Sequence, residues 1–133
     1  MKYINIPDGI EKSIPFIIED RHCISRLDEG LPTVLATFVI VEWIEIVSAL
    51  ILFDYIDSEW LTVGSNINID HLAIAVPGQV LMVETKIVER HRGDVLFNAV
   101  ASVGAKIISR ATHRRTLVPR KIIDRQISKE KVL

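Results

Sequence analysis

Two hydrophobic periods divide the chain. Across residues 38–53 almost every position is apolar on all sides of a helix, and only Glu42, Glu45 and Ser48 interrupt the run. A helix that is apolar all round must be buried all round. The run is shorter than the ~20 residues a bilayer core needs, and it carries two carboxylates. It therefore predicts a central helix over residues 37–55 that the rest of a domain wraps, not a membrane span. Beyond Asp57-Ser58-Glu59 the period falls to two. The odd positions Val63, Ser65, Ile67, Ile69 and His71 alternate with Gly64, Asn66, Asn68 and Asp70, which predicts a strand with one buried face. Residues 79–90 alternate again, with Leu81, Val83 and Ile87 on one face and Glu84, Lys86 and Arg90 on the other. After a hairpin at His91-Arg92-Gly93-Asp94, the residues Val95, Phe97, Ala99, Ala101 and Val103 line one face of the next strand. Residues 106–118 read as a last long strand that Pro119 stops.

Ahead of the helix, residues 14–23 contain a first strand and residues 24–32 a loop punctuated by Gly30 and Pro32. Residues 1–13, with turn chemistry at Pro7-Asp8-Gly9, read as a loop or loosely attached arm. Residues 120–133 are charged and predict a short helix or a frayed basic tail. A strand, a long buried helix and four more strands joined by short turns give an α+β fold. An antiparallel sheet curled around the central helix is a hotdog-like arrangement. One sheet covers only part of a cylinder, so a homodimer is expected to shield the rest of the helix and the sheet edge.

At 133 residues and 49% apolar, residues 1–133 suit one domain with a substantial core. A lone cysteine, Cys23, excludes an internal disulfide and fits a reducing compartment. The first residues carry no apolar leader core, and the expected location is cytoplasmic. The net charge of -1 points to no partner, but its distribution is uneven. The first 60 residues hold eleven acids and four bases, whereas residues 110–133 hold eight bases and two acids. That basic stretch contains no aromatic residue, which argues against a stacking platform for single-stranded nucleic acid. It is a solvated face or a place for a ligand's phosphates. Neither nucleic acid nor a membrane is an expected partner.

His71 shares its predicted face with Ile67 and Ile69, so it points toward the helix while Asp70 points away. An inward histidine that meets an inward glutamate makes an acid/base pair. The plainer alternative is a core histidine bonded to a backbone carbonyl. Glu42 and Glu45 are adjacent on the helix surface, and either can face a cavity or escape to solvent. Thr37 is placed to cap the helix, or to offer a hydroxyl where unpaired N–H groups could polarise a carbonyl. Cys23 beside His22 is discounted as a nucleophile and base, because consecutive strand residues face opposite ways. His91 lies in a charged hairpin. The sequence shows no metal-ligand spacing, no phosphate-cradling glycine loop and no Gly-x-Ser-x-Gly elbow, so neither a metal nor a cofactor is expected.

Several short stretches, in order and with similar spacing, resemble the hotdog-fold acyl-CoA thioesterases of the fluoroacetyl-CoA thioesterase type. They are Val34-Leu35-Ala36-Thr37, Glu45 eight residues later, Val63-Gly64, Asp70-His71-Leu72-Ala73, Pro77-Gly78, and Thr112-His113-Arg114-Arg115. The resemblance implies a homodimer or higher homo-oligomer with two sites at the subunit interface. It implies hydrolysis of a short acyl thioester, expected as acyl-CoA, with coenzyme A present only as part of the substrate. The family's catalytic threonine, glutamate and histidine would fall on Thr37, Glu45 and His71. Gly64 would lie near the thioester, with Glu42, His113 and Arg115 as further substrate contacts. One departure keeps Glu42 open as the catalytic carboxylate. The fluoroacetyl enzyme has a tryptophan after its glutamate, and here Trp43 follows Glu42 while Ile46 follows Glu45. The other reading of the same pocket is a non-catalytic acyl-CoA sensor.

Overall fold

The computed structural model describes residues 6–131. The elements run β1 (Glu11–Ile17), α1 (Thr37–Phe53), β2 (Trp60–His71), β3 (Val80–His91), β4 (Asp94–Val103), β5 (Lys106–Pro119) and α2 (Arg120–Lys131). Two short 3-10 turns, Asp20–His22 and Ile24–Arg26, fill the connection after β1. All strand pairings are antiparallel, in the order β1-β3-β4-β5-β2, which leaves β1 and β2 as edges. This is the α+β hotdog arrangement, a five-stranded sheet with a long helix against its concave face.

The alternation in β3 and β4 decides which face is concave. Leu81, Val83 and Ile87 are buried, as are Val95, Phe97, Ala99 and Ala101. They pack on Val39, Ile40, Trp43, Ile44, Val47 and Ile51 of α1. Phe16 of β1 stacks on Trp43 with ring centroids 4.6 Å apart, tying the edge strand to the helix. The turn into β3 has Pro77 and then Gly78 at φ +92, and Gln79 N–H donates to the Val76 carbonyl. A side chain at Gly78 would be strained in that left-handed conformation.

Three expectations change. First, β1 begins at Glu11 and ends at Ile17, so the strand starts inside the stretch read as an arm and stops before residues 18–23. Ile6 is buried, and Gly9 N–H donates to the Ile87 carbonyl, so residues 6–13 are docked along β3. Residues 1–5 of the expected arm and 132–133 of the expected tail lie outside the described residues. Second, α1 is not covered on every side by its own chain. Phe38, Ile46 and Phe53 are 43%, 40% and 56% exposed, and they form one open stripe with Glu42 and Glu45. Third, the single alternating phase expected for β2 is broken by a bulge. Gly64 pairs with Arg115 and Asn66 with Arg114, leaving Ser65 as the extra residue. Before the bulge the even positions face the helix, and after it the odd ones do.

Candidate active site

At the N-terminal end of α1, Ala36 is the N-cap and no side chain caps the helix. Thr37 is the first helical residue, and its hydroxyl lies 2.8 Å from His71 Nδ1 instead of closing on its own backbone. The capping role expected for Thr37 is therefore absent. So is the backbone carbonyl partner considered for His71. The contact follows from the chain path. Leu35 N–H donates to the Ala75 carbonyl, and Leu72 N–H to the Ile108 carbonyl, which pins the entry to α1 beside the end of β2. His71 Nε2 is buried with no hydrogen-bond partner. The hydroxyl and imidazole can pass a proton between them, and a second ring nitrogen is left to meet another group.

Glu45 sits two turns further along α1, against the bulge. Its carboxylate touches Gly64, where any Cβ would fall inside contact distance of Glu45 Oε1. Only glycine leaves room for this approach. Arg115 Nη1 donates to the same oxygen at 3.4 Å, while the Glu45 side chain stays 44% exposed. Arg115 itself is buried. Its Nε donates to Thr62 Oγ1 at 2.8 Å and its Nη2 to the Thr62 carbonyl at 3.2 Å. Burial pulls the pKa of the guanidinium down, and the charge of Glu45 and its hydrogen bond oppose that. Behind it, His113 is 1% exposed. Its Nδ1 donates to the Asn66 carbonyl at 2.8 Å, which leaves the Nε2 lone pair facing Arg115 Nη1 at 3.2 Å. Burial, with the arginine's charge acting the same way, lowers the pKa of His113 and keeps the ring neutral.

Within one chain these two groups stand apart. Eight residues separate Thr37 from Glu45, about 12 Å along the helix at 1.5 Å per residue. Seven separate Gly64 from His71, roughly 23 Å of strand. The expected Thr37, Glu45 and His71 are thus brought together as a pair and a separate carboxylate. Glu45 lies on the open stripe of α1, where it lines a groove of about 400 Å³ with Phe38, Glu42, Ile46 and Arg115, and Thr37 is exposed at the start of the same helix. Glu42 is exposed on that stripe. His113, expected as a substrate contact, has no surface from which to reach one. Thr62 and Asn66, which the sequence reading did not single out, hold Arg115 and His113. No apolar signal marks them, because Val63, Ile67 and Ile69 keep the same odd spacing through the bulge.

The remaining candidates fall elsewhere. Cys23 is fully buried with its thiol on the Glu19 carbonyl, and burial raises its pKa. His22 packs edge-on to Trp43 and accepts from Glu19 N–H. His22 ends a 3-10 turn, and Cys23 lies between two such turns in a lone bridge to Leu35, so neither belongs to the strand expected there. Arg120 and Lys121 border a depression of about 640 Å³ shared with Asp57, Glu59, Trp60 and Asp124, a mixed rather than a cationic lining. Among the described residues, no three His, Cys, Asp or Glu side chains group to hold a metal, and no helix is long and apolar enough to cross a membrane.

Similar proteins share this architecture. A variant of the fluoroacetyl-CoA-specific thioesterase, solved with fluoroacetate and CoA, superimposes with a TM-score of 0.81 at 18% identity, over 89% of this chain and 99% of that one. A thioesterase-superfamily protein of Thermus thermophilus gives 0.88 at 19% identity, over 96% and 94%. A hot-dog-like protein of Thermanaerovibrio acidaminovorans gives 0.86 at 14% identity, over 93% and 92%. A search of the curated proteins found no significant match. At these identities the structural likeness establishes the fold. The sequence itself goes further, because residues 18–121 match the family described as FlK, fluoroacetyl-CoA-specific thioesterase. The chain belongs to that family, the hotdog-fold hydrolases of acyl-CoA thioesters.

Proposed function

We propose that the protein hydrolyses a short-chain acyl-CoA, and that each site is completed by two copies of the chain. The observation that carries this reading is the division of the polar groups. The Glu45 carboxylate on Gly64 lies on the open apolar stripe, while the Thr37–His71 pair stands at the start of the helix, too far along it in one chain for the two to act on one carbonyl. The β2 edge supplies the means of joining them. Two β2 edges paired antiparallel, with their centre near Ile67 and Asn68, set Gly64 and Glu45 of one copy across from the partner subunit's Thr37 and His71. The same pairing covers Phe38 and Ile46 and removes the exposed strand edge.

In that site the N–H groups of Thr37 and Phe38, at the start of α1 and ahead of the first intrahelical bonds from Val39 and Ile40, would polarise the thioester carbonyl. Glu45 would take the proton from the attacking water, or from the Thr37 hydroxyl if threonine is the nucleophile. Attack on the carbonyl carbon gives a tetrahedral oxyanion. Its collapse breaks the C–S bond and releases coenzyme A, leaving the carboxylic acid on the water route, or on the threonine route an acyl-Thr37 ester that a water activated by Glu45 then hydrolyses. The thiolate is a good leaving group, with a free-thiol pKa of about 8.5, so His71 need only orient the groups and supply a proton late. Arg115 holds the base in place and keeps a cation beside it. CoA as the thiol carrier is supported by the family and by the CoA complex of its relative.

The test is a panel of acyl-CoAs from acetyl to octanoyl, read with a thiol-detecting reagent. Turnover of the short members that is lost in His71→Ala is the expected result. Tight binding of acyl-CoA with no thiol released from any member would reject hydrolysis.

A further inference from the structure

We infer that His113 is a positioning residue for the Glu45 carboxylate, acting through the guanidinium of Arg115; the inference rests on the reading of Glu45 as the base. The argument begins at the bulge. Extra residue Ser65 is held on the outer face, where its hydroxyl donates to the Arg114 carbonyl and accepts from Thr116 Oγ1. This leaves the Asn66 carbonyl to accept the proton of His113 Nδ1 at 2.8 Å. A neutral imidazole whose proton is on Nδ1 has a lone pair on Nε2. That lone pair meets one N–H of Arg115 Nη1 at 3.2 Å, and the other points to Glu45 Oε1 at 3.4 Å. Thr62 takes the opposite edge of the guanidinium twice. The plane of the arginine is therefore fixed on three sides, and one direction remains for the carboxylate.

The ring is not merely filling space. Phe97 stacks on it at 6.1 Å, which an apolar side chain could also provide. An apolar side chain could not accept from Nη1. A buried N–H without an acceptor is costly, so the guanidinium would turn to find another partner. Glu45 would lose its guide, since its own stem is long and half-exposed. Protonation of the ring would do the same, by setting a donor against a donor and a cation against a cation.

Two substitutions separate the roles of the two nitrogens. His113→Asn can still donate to the Asn66 carbonyl but cannot reach Arg115. His113→Gln places an acceptor oxygen near the Nε2 position. With the fastest acyl-CoA of the panel, His113→Asn is expected to lower kcat roughly a hundredfold with KM within about threefold, the effect of a misplaced catalytic group. His113→Gln is expected to restore kcat to within about tenfold of wild type. In a Glu45→Gln background, His113→Asn should lower the residual rate no further. Wild-type kcat in His113→Asn beside a crippled Glu45→Gln overturns the inference alone, as does an equal loss in both backgrounds. A Glu45→Gln enzyme as fast as wild type overturns the underlying reading and the inference together. Should His113→Asn not fold, Thr62→Val removes another anchor of the same guanidinium. A roughly tenfold fall in kcat then supports the inference, and unchanged kcat overturns it.

Discussion

Glu42 and Glu45 lie three residues apart on one helix, yet the fold treats them oppositely. Glu42 is exposed, and its charge acts on the nearby His22 imidazole. Glu45 meets a glycine that makes room for it, a buried arginine that holds it, and a neutral histidine that holds the arginine. Propensity and helix position are nearly the same for both. What differs is the strand opposite. A carboxylate on a helix surface becomes a placed reagent only when a second element supplies a fixed cation and the space to reach it. The comparison also answers the tryptophan that follows Glu42, because Trp43 points into the core onto Phe16 and takes no part in placing a carboxylate.

The largest expected effect follows directly. Glu45→Gln should lower kcat about a thousandfold, whereas Glu42→Gln should change it less than about threefold, both measured as thiol release. Equal effects would erase the distinction. Gly64→Ala comes next. Its methyl group would displace the carboxylate without touching its chemistry, so kcat should fall roughly 10–100-fold with the fold retained by circular dichroism. A third test removes the cation. Arg115→Met leaves the buried Nε2 of His113 without its donor, at a cost of about 1–3 kcal/mol, and the melting temperature should drop by several degrees, roughly 5–10 °C.

The smallest effect is on the pH dependence of stability. His113 has a folded pKa below its ordinary 6.5, through burial first and with Arg115 acting the same way. Below 6.5 the unfolded chain therefore binds the extra proton more readily than the folded one. The stability tied to a neutral His113 is present above pH 6.5 and is lost as pH falls through the folded pKa. Urea midpoints across this range should fall with acid in the wild type and fall less steeply in His113→Gln. His22, also buried and shifted the same way, keeps some slope in both. Identical slopes would mean that His113 is not held neutral.

Much of the fold was legible because its core follows simple periods. The apolar run ended within two residues of α1, and β3, β4 and β5 began and ended within a residue or so of the alternating stretches. Residues 11–13 were misread because Glu11, Lys12 and Ser13 lie on an edge strand and are exposed, so no buried face marks them. Within the site, the inward His71 was readable from Ile67 and Ile69. Thr37 was not, because a hydroxyl at a helix start suits a cap as well as it suits a partner on another strand. The seat of Glu45 was hidden for a sharper reason. The bulge turns Thr62 and Gly64 toward the helix, but Val63 remains in phase with Ile67 in the sequence and is 37% exposed in the structure. Spacing alone cannot show a reversal that the hydrophobic residues do not follow.

The central claim is that the carboxylate and the hydroxyl–imidazole pair of each site come from different copies of the chain. Refolding a one-to-one mixture of Glu45→Gln and His71→Ala tests it most directly. Random assortment makes half of the dimers mixed, and each mixed dimer would carry one intact site. The mixture should therefore recover about a quarter of wild-type thiol release from two nearly inactive parents. A mixture that forms mixed dimers yet stays as inactive as its parents would contradict the account.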